Sequence, residues 1–188
     1  MRIPIFLSYP KPTLTRQQRF IDCVQEYIRK RGLEPRTLGI TDYDTAAPLR
    51  AIRRLMLESN GIVTVAFRRT FVEKGTAKFG SDILGQQAHS IDGLWLTSAW
   101  PHIETAMAYQ LGLPILIFRE KGVLNEGILE RGVVGLYMPE FDLEHDQSGL
   151  ESYLTRYFAS DEWQGVIGKW EGYVRAVVET KGNPPKLY

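Results

Sequence analysis

The chain has 188 residues, 44% of them hydrophobic and 24% charged, which fits one globular domain with a core large enough to fold alone and excludes a disordered tail. A formal net charge of +1 gives no overall field with which to recruit nucleic acid or an anionic membrane, and no apolar run approaches the ~20 residues of a membrane span. No signal peptide opens the sequence, and the lone Cys23 can close no intramolecular disulfide, so the expected compartment is the cytoplasm.

Hydrophobic periodicity alternates between strands and helices. Ile3 to Ser8 reads as a buried strand ending in a polar turn, and Thr15 to Arg31 as an amphipathic helix stopped by Gly32. Cys23 falls on the apolar stripe of that helix with Phe20, Val24 and Tyr27, which makes it a packing residue rather than a reactive one. A short strand near Glu34 to Leu38 leads through a loop, Gly39 to Ala47, into a helix from Pro48 to Ser59. Asn60-Gly61 then turns the chain into Ile62-Val63-Thr64-Val65-Ala66, an uninterrupted strand.

Residues 67–97 break the pattern. They carry Gly75, Gly80, Gly85 and Gly93 and are too long for an ordinary connection, which suggests a lid or binding insertion. After it, a helix opening with Pro101 and closing at Gly112 feeds the strand Ile115–Phe118, and Val133 to Met138 reads as a fifth strand. Two helices complete the chain over 148–180. One begins at the capping-box pattern Ser148-Gly-Leu-Glu151, and one begins at Asp161 with Trp163, Ile167, Trp170, Val174, Val177 and Val178 at helical spacing. The expected architecture is a single α/β domain, a parallel five-stranded sheet flanked by helices.

In such a sheet ligands bind beyond the carboxyl ends of the strands. Ser8-Tyr9 follows the first strand, Phe67-Arg68-Arg69 follows the third, and Glu104 lies within the first turn or so of the helix before the fourth. The three segments are expected to border one pocket. On a helical wheel Glu104 flanks a buried side of Ile103, Met107 and Leu111; alternatively it is a surface acid favoured by the helix dipole. Residues 1–60 hold 11 Lys and Arg against 6 Asp and Glu, a basic half suited to a phosphate-bearing ligand or simply to solvent.

Ser98-Ala99-Trp100-Pro101-His102-Ile103-Glu104 resembles the S-x-W-C-x-x-E signature of Toll/interleukin-1 receptor (TIR) domains, with Pro101 where the family usually has cysteine. Ile5-Phe6-Leu7-Ser8-Tyr9 is similar to the opening strand motif of that family, and the resemblance extends over about residues 3–138 and implies a flavodoxin-like, TIR-like arrangement of the five-stranded sheet. The insertion at 67–97 is much longer than the family's usual link. The segment His102–Glu120 also resembles nucleoside deoxyribosyltransferase-like proteins, where a glutamate on the corresponding helix works at an N-glycosidic bond.

Both resemblances imply glycosidic chemistry with Glu104 as the catalytic residue. Expelling nicotinamide from NAD builds positive charge on the ribose, and one preorganised carboxylate can stabilise it. The TIR resemblance implies NAD as substrate rather than cofactor, hydrolysed or cyclised, with a bacterial antiphage role, a homo-oligomer, and a downstream effector reached through a nucleotide signal. In that scheme Ser8 and Tyr9 line the ribose or nicotinamide side, or serve as turn and packing residues. Trp100 walls the pocket or joins the core, and Ser98 caps the helix in preference to touching substrate. Phe67 stacks on a base, and Arg68 or Arg69 meets a diphosphate or solvent. Arg50, Arg53 and Arg54 are solvated. No resident cofactor or metal is expected: His89, His102 and His145 lack ligand spacing, and neither G-x-S-x-G nor G-x-G-x-x-G occurs. The alternatives are an N-glycosidase acting on nucleosides or nucleotides, and a non-catalytic TIR scaffold that assembles through homotypic contacts.

Overall fold

The computed structural model describes residues 2–42, 47–144 and 147–180, the side chains of Gln147 and Ser148 aside. The expectations for Tyr43–Ala46, His145 and the Ser148 side chain lie outside the described residues. The central sheet has the order β2-β1-β3-β8-β9 and is parallel throughout, the flavodoxin-like arrangement. Its strands are β1 (Ile3–Ser8), β2 (Leu33–Arg36), β3 (Ile62–Ala66), β8 (Ile115–Arg119) and β9 (Leu136–Tyr137). The strands β4 to β7 lie in the insertion.

Because helices cover both faces, β3 is buried along its whole length, which is why it carries no polar alternation. The pleat sorts the side chains into two cores. Ile5, Leu7, Val63, Val65, Leu116 and Phe118 face α1 (Thr15–Lys30), α4 (Gln147–Ala159) and α5 (Asp161–Glu179). Phe6, Ile62, Ala66, Ile115 and Ile117 face α2 (Pro48–Glu58) and α3 (Ala99–Gln110). On the first side Phe20 stacks on Phe141 at 3.9 Å between ring centroids, and Trp163, Ile167, Trp170 and Val174 form the buried stripe of α5 expected from its spacing. The Ser160 hydroxyl caps that helix, accepting from the Trp163 N–H at 3.4 Å.

Helix ends follow the stop signals: α1 gives way to Gly32 at φ +79° and α3 to Gly112 at φ +70°. Ion pairs engage arginines of the basic first part of the chain, two of them with acidic groups far along the sequence. Arg19 pairs with Glu151 at 2.7 Å, Arg31 with Glu171 at 2.5 Å, and Arg36 with Asp42 at 2.5 Å. Much of the early positive charge is therefore spent within the fold. No helix among the described residues is long and apolar enough to cross a membrane.

The insertion is a ladder of two short antiparallel pairs. β4 (Thr70–Phe71) pairs with β7 (Trp95–Leu96), and β5 (Thr76–Ala77) with β6 (His89–Ser90). Its base is fixed by Phe71 against Trp95, with ring centroids 4.9 Å apart. Its tip carries Phe79, Ile83 and Leu84 in the open, the last fully exposed.

Candidate active site at the sheet switch point

The chain leaves β1 for β2 on one side and returns to β3 on the other, so the carboxyl ends of β1 and β3 form the topological switch point where open α/β sheets hold ligands. Ser8 closes β1 and is in register with Thr64 of β3. Both side chains fall on the α2/α3 face. Helix α3 lies over them.

Two expectations about that helix are corrected. It begins at Ala99 rather than Pro101, which places Glu104 in the second turn rather than the first. Its buried residues are Pro101, Thr105 and Ala108, with Met107 and Leu111 packed half-buried against the same core as expected, whereas Ile103 is 39% exposed. The physical reason is close approach. Small side chains let α3 settle onto β3, and the Thr105 hydroxyl lies 2.6 Å from that of Thr64, both residues fully buried. Spacings of three and four put Glu104 on the stripe of Pro101 and Ala108, at the margin of the buried face.

Burial raises the Glu104 pKa from 4.5 to about 7, and the Ser8 hydroxyl facing the carboxyl draws it partly back. Ser8 is 1% exposed, and its Oγ completes no hydrogen bond of ordinary geometry. The pair thus presents a carboxyl near half-ionisation at neutral pH and a buried hydroxyl with unused bonding capacity.

The other expected site residues are not brought to this pair. Strand alternation decides two of them: Ser8 faces α3, so Tyr9 turns to the opposite core, where burial raises its phenol pKa and Thr37 and Gln25 are its hydrogen-bonding neighbours. Likewise Phe67, one residue past Ala66, is 1% exposed in the α1 core, edge-on to Phe20 and Phe141, with no open ring face for a base. The Arg68 guanidinium donates to the Lys121 carbonyl at 2.5 Å, pairs with Glu144 and lies over the Trp95 ring, so its side chain braces the base of the insertion. Arg69 donates to the Lys11 carbonyl at 2.8 Å. Trp100 is 44% exposed on the first turn of α3. Ser98 has the extended backbone of an N-cap, but its side chain makes no capping bond.

Sequence reasoning passed over several polar residues at this edge. Thr64 and Thr105 are two. Another is Glu120, which immediately follows β8 and is 2% exposed; it accepts from the Arg68 N–H at 2.9 Å and from Gln17 at 3.3 Å. Burial raises its pKa, and these two donors oppose the rise. Its side chain lies on the α1 side and ties the loops after β3 and β8 together. A carboxylate directly after an apolar strand was the available signal. On the far side of α3, a groove of about 560 Å³ is lined by Ser98, His102, Ile103 and Glu126 among others; burial lowers the His102 pKa.

No protein-family model matches the chain, and no curated protein is similar to it. Three solved structures are distantly alike. A CMP N-glycosidase, BcmB, from Clostridium botulinum is 14% identical, with 79% of this chain and 95% of that one covered and a TM-score of 0.43. RosB, solved with bound 8-demethyl-8-formylriboflavin-5'-phosphate, is 10% identical over 96% and 81% of the two chains, TM-score 0.49. A LacI-family transcriptional regulator from Arthrobacter is 12% identical over 92% and 53%, TM-score 0.36. These are likenesses of fold alone, and the strand order itself defines the class: a flavodoxin-like α/β domain with a carboxyl at its switch point.

Proposed function

We propose that the chain cleaves the N-glycosidic bond of a nucleoside or nucleotide, with Glu104 as the essential group. The observation that carries this reading is the placement of Glu104, half-withdrawn from water at the sheet switch point and faced by the unpartnered Ser8 hydroxyl. In the reaction the bond between the sugar anomeric carbon and the base nitrogen breaks, its electron pair leaves with the base, and water adds to the sugar. Positive charge on the sugar is stabilised by the ionised carboxylate, and the protonated carboxyl can give its proton to a base that leaves poorly. A pKa of about 7 makes both forms available near neutrality. In this reading Ser8 binds a sugar hydroxyl.

NAD is the finer form of this proposal. The segment from Ser98 to Glu104 favours it through its TIR-like pattern, and nicotinamide needs no proton to leave. Hydrolysis or cyclisation to an ADP-ribose-type signal, antiphage defence, a homo-oligomer and a downstream effector belong with that form. The positions of Phe67 and Arg68 speak against a dinucleotide grip built from those residues. A scaffold working only through homotypic contacts gains nothing from a carboxyl withdrawn from solvent. The test is incubation of the purified chain with NAD, and separately with nucleoside 5'-monophosphates and nucleosides, the products being resolved by mass. Free base or nicotinamide released by the wild type and absent with Glu104→Gln is the expected result. No release from any of these compounds overturns the proposal.

A further inference from the structure

The hydroxyl pair between Thr64 and Thr105 has no assigned task in the chemistry above. Both residues are fully buried, one at the middle of the central strand β3 and the other on the face of α3 that rests upon it. If packing were the whole requirement, valine at both positions would fill the same space without burying two hydroxyls, and removing both partners of a buried hydrogen bond together is nearly neutral for stability. What valine cannot supply is direction. The 2.6 Å bond fixes the height of α3 over β3 at the residue next to Glu104. A slip of one residue would move the helix about 1.5 Å and rotate it about 100°, carrying the carboxyl away from Ser8.

We propose that the Thr64–Thr105 hydroxyl pair is a positioning device that sets the register of α3 on the sheet and so holds the Glu104 carboxyl against Ser8. The register of β1 on β3 supports the assignment, since Ser8 and Thr64 are direct neighbours across the strands and the whole constellation shares one face. Ser8 is the neighbour that acts on the Glu104 carboxyl. The pair touches no substrate. It acts through Glu104.

The inference rests on the proposed glycosidic reading for its kinetic consequence but not for its structural one, and the experiment separates them. Thr64→Val/Thr105→Val is compared with wild type by the carbon-13 carboxyl titration of Glu104 and by turnover of whichever nucleotide proves to be cleaved. The wild-type carboxyl titrates near 7; in the double variant its midpoint falls toward the ordinary glutamate range as water reaches it. Turnover falls about 10- to 100-fold with KM little changed, the scale of an ångström-sized misplacement. Thr105→Ser, which keeps the hydroxyl, retains the wild-type titration. If the double variant does not fold, Thr105→Ala is read by the same titration. A wild type that cleaves nothing, with a titration that still moves in the variant, removes the proposed function and leaves the positioning role standing. A folded variant with unmoved titration and unmoved turnover overturns the positioning role.

Discussion

Replacing Glu104 by glutamine separates two consequences of burial that run in opposite directions. Burial lifts the carboxyl pKa from 4.5 to about 7, so the folded chain holds this proton more tightly than the unfolded chain does. Where pH lies below the unfolded value both states are protonated and the site costs nothing. As pH rises toward 7 the unfolded carboxyl ionises freely while the folded one resists, and stability falls; above the folded pKa the loss is complete. At ~1.4 kcal/mol per pKa unit the full loss is about 3 kcal/mol. Glutamine cannot ionise. The variant should therefore match the wild type in stability below about pH 4.5 and exceed it by about 3 kcal/mol near pH 8. For a chain of this size that gain raises Tm by roughly 6–12 °C. Nucleotide cleavage should be abolished at every pH. Thermal unfolding of both proteins at matched pH values, with base release measured on the same samples, reads both effects. A Tm difference that does not widen from acid to alkaline pH refutes the buried-carboxyl argument. Near-wild-type turnover in the variant refutes the catalytic one.

The same titration shapes the pH dependence of the reaction. With NAD, whose leaving group needs no proton, turnover should rise with pH through the Glu104 midpoint near 7; with a nucleotide whose base leaves protonated, it should fall over the same interval. Rates flat across neutrality for both substrates exclude Glu104 as the titrating group. Gly135, just before β9, has no room for a side chain, since a Cβ there would stand 2.6 Å from the Ile115 carbonyl oxygen. Gly135→Ala should push β9 off β8 and cost about 1–3 kcal/mol in denaturant unfolding, and an unchanged midpoint would show that the edge strand yields without penalty. Limited proteolysis should cut first at the exposed tip around Phe79, Ile83 and Leu84. If the insertion closes over the site, an unreactive nucleotide bound at saturation will slow that cut, and equal cutting with and without it shows that the insertion does not close.

The fold was legible because its signals are strong and local. Ile62–Ala66 and Ile115–Phe118 are apolar runs that only a strand covered on both faces requires, and Gly32 and Gly112 stop their helices where left-handed backbone is needed. The site was legible only in part. Ser8 and Glu104 lie at one sheet edge, but side-chain direction at a strand end depends on parity, and one residue of difference sends Tyr9 and Phe67 to the opposite core. Hydropathy pointed the buried face of α3 toward Ile103. Contact with the sheet instead selected Thr105 and Ala108, because closeness and a hydroxyl partner outweigh apolar area there. The insertion's strands, two residues each, are too short to leave a period in the sequence.

The two faces of the sheet differ in depth, and the candidate site lies on the thinner one. Among the described residues the α1/α4/α5 core holds twenty-two buried apolar side chains against eleven in the α2/α3 core, and the larger one is closed by Phe20, Phe67, Phe118, Phe141, Trp163 and Trp170. Polar groups on that side are only partly matched: Glu120 accepts from Arg68 and Gln17, whereas the Trp163 Nε1 has no partner among the described residues. On the thinner face Ser8 keeps an unpartnered oxygen beside Glu104. The loss of about 3 kcal/mol that the raised Glu104 pKa brings above neutrality is set against the stability of the whole fold, to which both cores contribute.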